Sequence, residues 1–289
     1  MFMDKKTLLS EKFDDEKQLI LENFKDIIDE MIDDYFYDKD LFSSENIKTY
    51  YYDEYKLGTN VCLDTPATLY IEINQLNNIK KFKDNAIVQD RYLTLKKIKD
   101  DLMEISISNF DNNTLIWQDK YSLNFAINVF DEEGNKTTHY FQVIPCFTEI
   151  NENNVSGVIY YTNDKVLVEK EFPKLSIRNF KIKNKTTNDL FRQYILLFKN
   201  AYKIDKNEKL LPFEIFEILL YTVPNSYFTD FNDTTIIKIL DYLKNCGIKL
   251  AKTMDEQQDA FKSKYKSLSS IYASMVIKRL IKILSNNKN

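Results

Sequence analysis

Glycine, proline, histidine and cysteine are all scarce in this chain. Its 289 residues include 4 Gly, 5 Pro, 1 His and 3 Cys. So little Gly and Pro argues against a glycine-rich phosphate loop and long disordered tails. The single histidine, His139, leaves no second imidazole for a histidine-based metal site. Cys62, Cys146 and Cys246 are far apart and form no CxxC pair. Neither a zinc site nor a disulfide framework follows from them, and a reducing compartment is expected. No apolar run approaches the roughly 18 residues that a spanning helix needs. The opening MFMDKK is followed by no apolar stretch, which predicts no signal peptide. The net charge of -4 is close to balance, so a generally basic nucleic-acid binder is not expected. These absences predict a soluble, cytoplasmic protein with no membrane partner and no nucleic-acid partner.

What is present suits a packed core. Hydrophobic residues make up 44% of the chain, with 19 Tyr and 20 Phe, enough for one large domain or two packed halves. The spacing of Ile20, Phe24, Ile27, Ile28, Met31, Ile32 and Tyr35 predicts a helix from Asp14 to about Asp38. Its opposite face is acidic (Glu22, Asp26, Asp29, Glu30, Asp33, Asp34) and reads as solvated. Lys39 to Tyr52 reads as a polar connector, Ala67 to Asn74 as a strand, and Asn77 to Asn85 as a loop. A second helix is expected over about Ala86 to Met103. Glu104–Asn109, Thr114–Gln118, Ser122–Phe130, Thr138–Phe147, Val155–Tyr161 and Val166–Glu169 read as strands. Asp131 to Asn135 is a hairpin turn signal. The character changes near Phe172-Pro173, and from Thr187 onward the chain reads as helical. Helices are expected around Leu190–Ala201, Phe213–Thr222, Thr234–Asn245 and, as one or two elements, Asp255–Ser285.

The rest is organised around Asp53 to Asn74. A turn containing Gly58-Thr59 leads through a short loop into the strand. Residues two apart on a strand share a face, so carboxylates placed there could hold Mg²⁺ between them. The strand offers Thr68, Tyr70 and Glu72 on that face, and only Glu72 is anionic.

In order and spacing, four pieces of the chain resemble the DNA-polymerase-β-like nucleotidyltransferase superfamily, on the branch of oligoadenylate synthases and bacterial cyclic-oligonucleotide synthases. The first is Asp53-Glu54-Tyr55-Lys56-Leu57-Gly58-Thr59, where that branch has Gly-Ser, three residues, then Gly-Thr. Next comes Thr68-Leu69-Tyr70, where it has Asp-x-Asp. The strand Gln142-Val143-Ile144-Pro145-Cys146-Phe147 stands where a third carboxylate opens a similar run. The last is Asn184-Lys185-Thr186-Thr187-Asn188 with Arg192 and Lys199 beyond it, followed by Leu211-Pro212-Phe213-Glu214-Ile215-Phe216-Glu217.

The resemblance implies an α+β fold: a nucleotidyltransferase-type mixed sheet with flanking helices over 1–172, followed by an α-helical domain over 173–289. Gly58, Thr59, Arg192 and Lys199 become candidate nucleotide-binding residues. Thr68, Tyr70 and Gln142 become the positions of a missing carboxylate triad, with Glu72 as a remnant. From those replacements the expected function is a nucleotide-binding, scaffolding or regulatory protein that has lost catalysis, with no cofactor. A nucleotide and a protein partner are its expected ligands. Two alternatives stand beside it. One is an active Mg-dependent nucleotidyltransferase whose metal site is redrawn from Glu72, Asp64 and Glu54. The other is an unrelated α+β interaction protein.

Overall fold

A computed structural model describes residues 15–37, 47–52, 54–59, 66–74, 91–161, 167–204, 212–257, 259–261 and 270–285. The chain separates into two compact units. One comprises residues 14–56 and 62–173, the other 1–13, 57–61 and 174–289.

The first unit opens with helix α1, Asp15–Tyr37. Strand β1 is Ile47–Tyr52, the short helix α2 is Glu54–Leu57 and strand β2 is Ala67–Ile73. Helix α3, Arg91–Asn109, precedes strands β3 (Thr114–Gln118), β4 (Leu123–Phe130), β5 (Lys136–Ile150), β6 (Ser156–Tyr161) and β7 (Leu167–Glu171). The seven strands form one sheet in the order β1-β2-β5-β4-β3, and the far end of β5 also pairs β6, which pairs β7. Only β2 and β5 run parallel, and their register sets Thr68 beside Gln142, Tyr70 beside Ile144 and Glu72 beside Cys146. A parallel pair needs a long crossover. Here α3, β3 and β4 lie between β2 and β5 in the chain.

The alternation of side chains gives the sheet two unlike faces. Leu69, Ile71, Ile73, Phe125, Phe141, Val143 and Phe147 are all buried. Against this side α1 lays Phe24, whose ring stacks on Phe141 at 4.0 Å and meets Phe125 edge-on at 5.1 Å. Truncating such a buried ring to alanine costs about 3–5 kcal/mol. The other face carries a tyrosine cluster. Tyr70, Ile144, Cys146, Val158 and Tyr160 are buried together, with Tyr50, Tyr52 and Tyr121 packed against them.

The second unit is helical. Helix α4 is Pro173–Thr186, α5 is Leu190–Ile204 and α6 is Ile215–Thr222. Helix α7, Asp233–Tyr242, continues through a π-turn, Leu243–Gly247, and one more turn, Ile248–Leu250. Helix α8 is Ser270–Ser285. Phe191, Tyr194, Phe198, Phe216, Leu219, Ile239, Val276 and Leu280 belong to its single core.

The α+β class, with a mixed sheet and a helical second half, is as expected. Several local readings need correction. Glu104–Asn109 is the end of α3 rather than a strand. Leu95, Ile98, Leu102 and Ser106 are buried at helical spacing, which overrides the β-branched Ile105 and Ile107. The polar connector contains strand β1 over its last six residues. The helical half starts at Pro173, which needs no hydrogen-bonded N–H at a first helical position, and not at Thr187. Residues 255–257 and 259–261 are turns and bends, with a bridge between Lys252 and Asp259, so the helical reading of that stretch holds only from Ser270 among the described residues. The expected loop over Asn77–Asn85 lies outside the described residues. Among the described residues, no helix is long and apolar enough to cross a membrane.

Candidate functional site

On the sheet, the three positions read as a lost carboxylate triad fall together. Thr68 and Gln142 are register partners, and Tyr70 is two residues on from Thr68 along β2. Gln142 and Tyr70 are each hydrogen-bonded to neighbouring side chains. The Gln142 amide donates from Nε2 to Ser122 Oγ at 3.0 Å and to Asn124 Oδ1 at 3.5 Å. The Tyr70 hydroxyl donates to Glu171 Oε2 at 2.6 Å. Burial, and then the Glu171 charge, push the Tyr70 phenol well above its usual range, so it stays protonated. Glu72 is buried on the same face and accepts a hydrogen bond from Thr148 Oγ1 at 2.9 Å. Beside it Tyr50 is held protonated, chiefly by burial and next by the nearby Cys146 and Glu72.

The nucleotidyltransferase resemblance implies a divalent ion here. Mg²⁺ sheds water reluctantly and needs hard anionic oxygens. Thr68, Tyr70 and Gln142 offer a hydroxyl, a protonated phenol and an amide, so these three positions do not fit such an ion. No group of three or more His, Cys, Asp or Glu able to hold a metal occurs among the described residues. Asp64 and the side chain of Glu54, the other members of the redrawn set, lie outside the described residues.

The remaining candidates all belong to the helical unit. Gly58 has φ +66, the left-handed region in which a side chain is strained. A Cβ built on it would stand 3.8 Å from Arg192 Cδ, so the glycine backbone and the arginine stem are neighbours. Thr59 is fully buried and donates from Oγ1 to Glu217 Oε1. Lys199 is also fully buried, with Nζ 2.7 Å from the same Glu217 oxygen and 3.1 Å from the Thr59 carbonyl. Its ammonium braces the turn from beneath.

Arg192 is the cation left partly in solvent, with 37% of its side chain exposed. It makes a two-pronged contact with Asp189, Nε to Oδ1 at 2.9 Å and Nη2 to Oδ2 at 2.7 Å. Hydrogen bonding to Asp189 raises the Arg192 pKa, so its positive charge is secure. The asparagine-threonine motif turns out to be the corner between α4 and α5. Thr187 Oγ1 accepts from Phe191 N at 3.2 Å, as a helix cap does, and Asn184 Oδ1 accepts from Arg192 N at 3.0 Å. Asn188 and Asp189 take positive φ to make the corner.

Sequence reasoning missed two features. Asp189, which orients Arg192, carried no signal beyond its place in a polar corner. Glu217 was visible only as the end of a matched motif, although it closes the network under Gly58-Thr59.

Comparison with known proteins is consistent with both halves. Residues 178–285 match the profile of the cGAS/DncV-like nucleotidyltransferase C-terminal helical domain. A cyclic UMP-AMP synthase of Rhodothermus marinus is 29% identical over 114 residues, covering 38% of this chain and 40% of that protein. The chain thus spans about two fifths of that relative's length in the match. Cyclic nucleotide synthase CdnE01 of Staphylococcus haemolyticus is 26% identical over 211 residues, covering 61% of this chain and 70% of that protein. The structure of the Elizabethkingia meningoseptica CdnE cyclic dinucleotide synthase, solved with GTP and Apcpp, shares the fold with a TM-score of 0.66. It is 16% identical, and the superposition covers 90% of this chain and 92% of that one. These likenesses correct two expectations. The unrelated α+β interaction protein is excluded by the shared fold and the matched helical domain. The reading as a pseudoenzyme that has lost catalysis is overturned by relatives that are synthases by name.

Proposed function

We propose that this chain, which belongs to the cGAS/DncV-like nucleotidyltransferases, is itself an enzyme that joins nucleoside triphosphates into a cyclic oligonucleotide. A ribose hydroxyl of one nucleotide attacks the α-phosphorus of another, the bond to the β-phosphate breaks, and diphosphate leaves. The observation that carries the reading is the apposition of Arg192 to Gly58. A left-handed glycine turns its backbone N–H into a concave nest for anionic oxygens. The Arg192 stem lies against it, and the guanidinium, two of whose nitrogens hold Asp189, adds a planar charge suited to phosphate. Lys199, Glu217 and Thr59 contribute rigidity, holding the turn before a nucleotide arrives. Because Thr68, Tyr70 and Gln142 carry no carboxylate, a divalent ion would be held by carboxylates at other positions. Glu72, Asp64 and Glu54 are the set to test.

The test is diphosphate release from pairwise mixtures of the four nucleoside triphosphates with Mg²⁺ or Mn²⁺. Release above a protein-free blank is expected, with Arg192→Ala lowering kcat/KM at least tenfold. No release from any mixture, or an Arg192→Ala rate equal to that of the parent, overturns the proposal.

A further inference from the structure

Among the described residues the sheet ends at β3, which pairs with β4 and closes the strand order. The hairpin fixes which way the β3 backbone groups point. Asp119 N donates to the Ser122 carbonyl at 2.9 Å, and Asn128 N donates to the Asn113 carbonyl at 3.1 Å. Bonded pairs in an antiparallel ladder recur at every second residue. Asn113, Leu115, Trp117 and Asp119 therefore turn their backbone groups toward β4, and Thr114, Ile116 and Gln118 turn theirs outward. Thr114 N is taken by the Asp111 carbonyl at 3.1 Å. The Thr114 carbonyl and both backbone groups of Ile116 and Gln118 have no hydrogen-bond partner among the described residues.

Such an edge is usually blunted by a lysine, a proline or a bulge. Strand β3 reads TLIWQ, with no charge and no proline, and its pairing with β4 has no register shift. Two large apolar side chains also stand in solvent on it: Leu115 is 65% exposed and Trp117 is 38% exposed. They are two residues apart and share one face.

The edge is self-complementary. A second β3, laid antiparallel with the two-fold axis at Ile116, brings outward groups together. Ile116 N–H meets the partner's Ile116 carbonyl, and Gln118 N–H meets the partner's Thr114 carbonyl, each bond repeated by symmetry. On the exposed face Leu115 lies opposite the partner's Trp117, again twice, and Asp119 lies opposite the partner's Asn113. No like charges are opposed. Moving the axis to Trp117 keeps as many bonds but sets Leu115 opposite the partner's Asp119. Moving it to Leu115 gives up the bond from Gln118 to the partner's Thr114 and sets Trp117 opposite the partner's Asn113.

We propose that β3 is a homodimer edge: two copies of this chain join β3 to β3, antiparallel about Ile116, into one continuous sheet. The occupant is a second copy because the bonding groups, the apolar pair and the charges all match under one two-fold axis. The proposal is independent of nucleotidyl transfer, and its test involves no substrate.

The full chain is followed by sedimentation velocity from about 1 to about 300 μM, the range in which a small interface associates. A concentration-dependent dimer is expected. Emission from Trp117, the one tryptophan of the chain, is expected to move to shorter wavelength as the dimer forms. Leu115→Glu is expected to raise the dissociation constant roughly tenfold or more, because it sets a carboxylate against the partner's Trp117. Combining Leu115→Glu with Trp117→Lys places opposite charges across the axis and is expected to recover most of that loss. Gln118→Pro removes an outward N–H and no bond to β4. It serves where Leu115→Glu does not fold, and is expected to weaken the dimer severalfold. A monomer at every concentration, which leaves the edge to a different chain, overturns the proposal. So does a dimer that the folded variants leave unchanged, or a double variant that associates no more tightly than Leu115→Glu alone.

Discussion

Lys199 and Glu217 form an ion pair at 2.7 Å with both side chains out of solvent, and the pair clamps the turn that carries Thr59. Charges taken from water are costly unless they are paired and fully hydrogen-bonded. Here the carboxylate oxygen takes both the ammonium and the Thr59 hydroxyl, and the ammonium also takes the Thr59 carbonyl. Lys199→Met is therefore expected to destabilise by about 3–5 kcal/mol, because it strands the Glu217 charge. The double variant Lys199→Met with Glu217→Leu is expected to recover more than half of that loss in chemical denaturation. A double variant as unstable as the sum of the singles would show that the pair is not coupled.

Gly58 should tolerate no side chain without cost. The nearest atom to an added Cβ is in ordinary contact, so the penalty comes from the left-handed backbone at φ +66 and not from a clash. Gly58→Ala is expected to lower stability by about 1–2 kcal/mol. It is also expected to weaken triphosphate binding, since the turn would relax away from Arg192. Denaturant midpoints and a nucleotide-induced thermal shift measure the two effects.

Lys183 predicts an unusual dependence on pH. It lies within 5.2–5.4 Å of the ring centres of Phe191, Tyr221 and Phe228 and donates to the Val223 carbonyl at 2.6 Å. Burial lowers its pKa from 10.5 to about 8. Between about pH 8 and 10.5 the folded chain has released this proton while the unfolded chain still holds it. The unfolded state then binds more protons, so this residue's contribution to stability rises with pH across that window, by up to about 3 kcal/mol. Below pH 8 the cost of burying the charge is fully present. The parent minus a Lys183→Met variant, unfolded in denaturant at several pH values, should show the rise. A flat difference would place the lysine pKa near its ordinary value.

The sequence carried the frame of the site better than its chemistry. The β2–β5 strands and the Gly58-Thr59 turn were legible because hydrophobic alternation and a glycine at a turn are local signals. Helix α4 was not, because its basic run, Lys181 to Lys185, carries little apolar periodicity, while its buried face is set by packing of Phe180 and Ser176. Strand β1 was hidden by the tyrosines of its partner-facing run, which look like a polar connector until β2 pairs with them. The Lys199–Glu217–Thr59 network links residues up to 158 positions apart, a separation at which no local pattern operates. Most instructive are Thr68, Tyr70 and Gln142. Their identities suggested lost catalysis, but identity at three positions says what those positions do not bind and leaves the rest of the protein's chemistry open.

The central claim is that this chain makes phosphodiester bonds between nucleotides. Its most direct test is mass spectrometry of an overnight reaction with all four triphosphates and Mn²⁺, treated with phosphatase. A phosphatase-resistant species with the mass of a cyclic oligonucleotide, formed by the parent and lost in Arg192→Ala, is predicted. Nucleosides and inorganic phosphate alone would contradict the account.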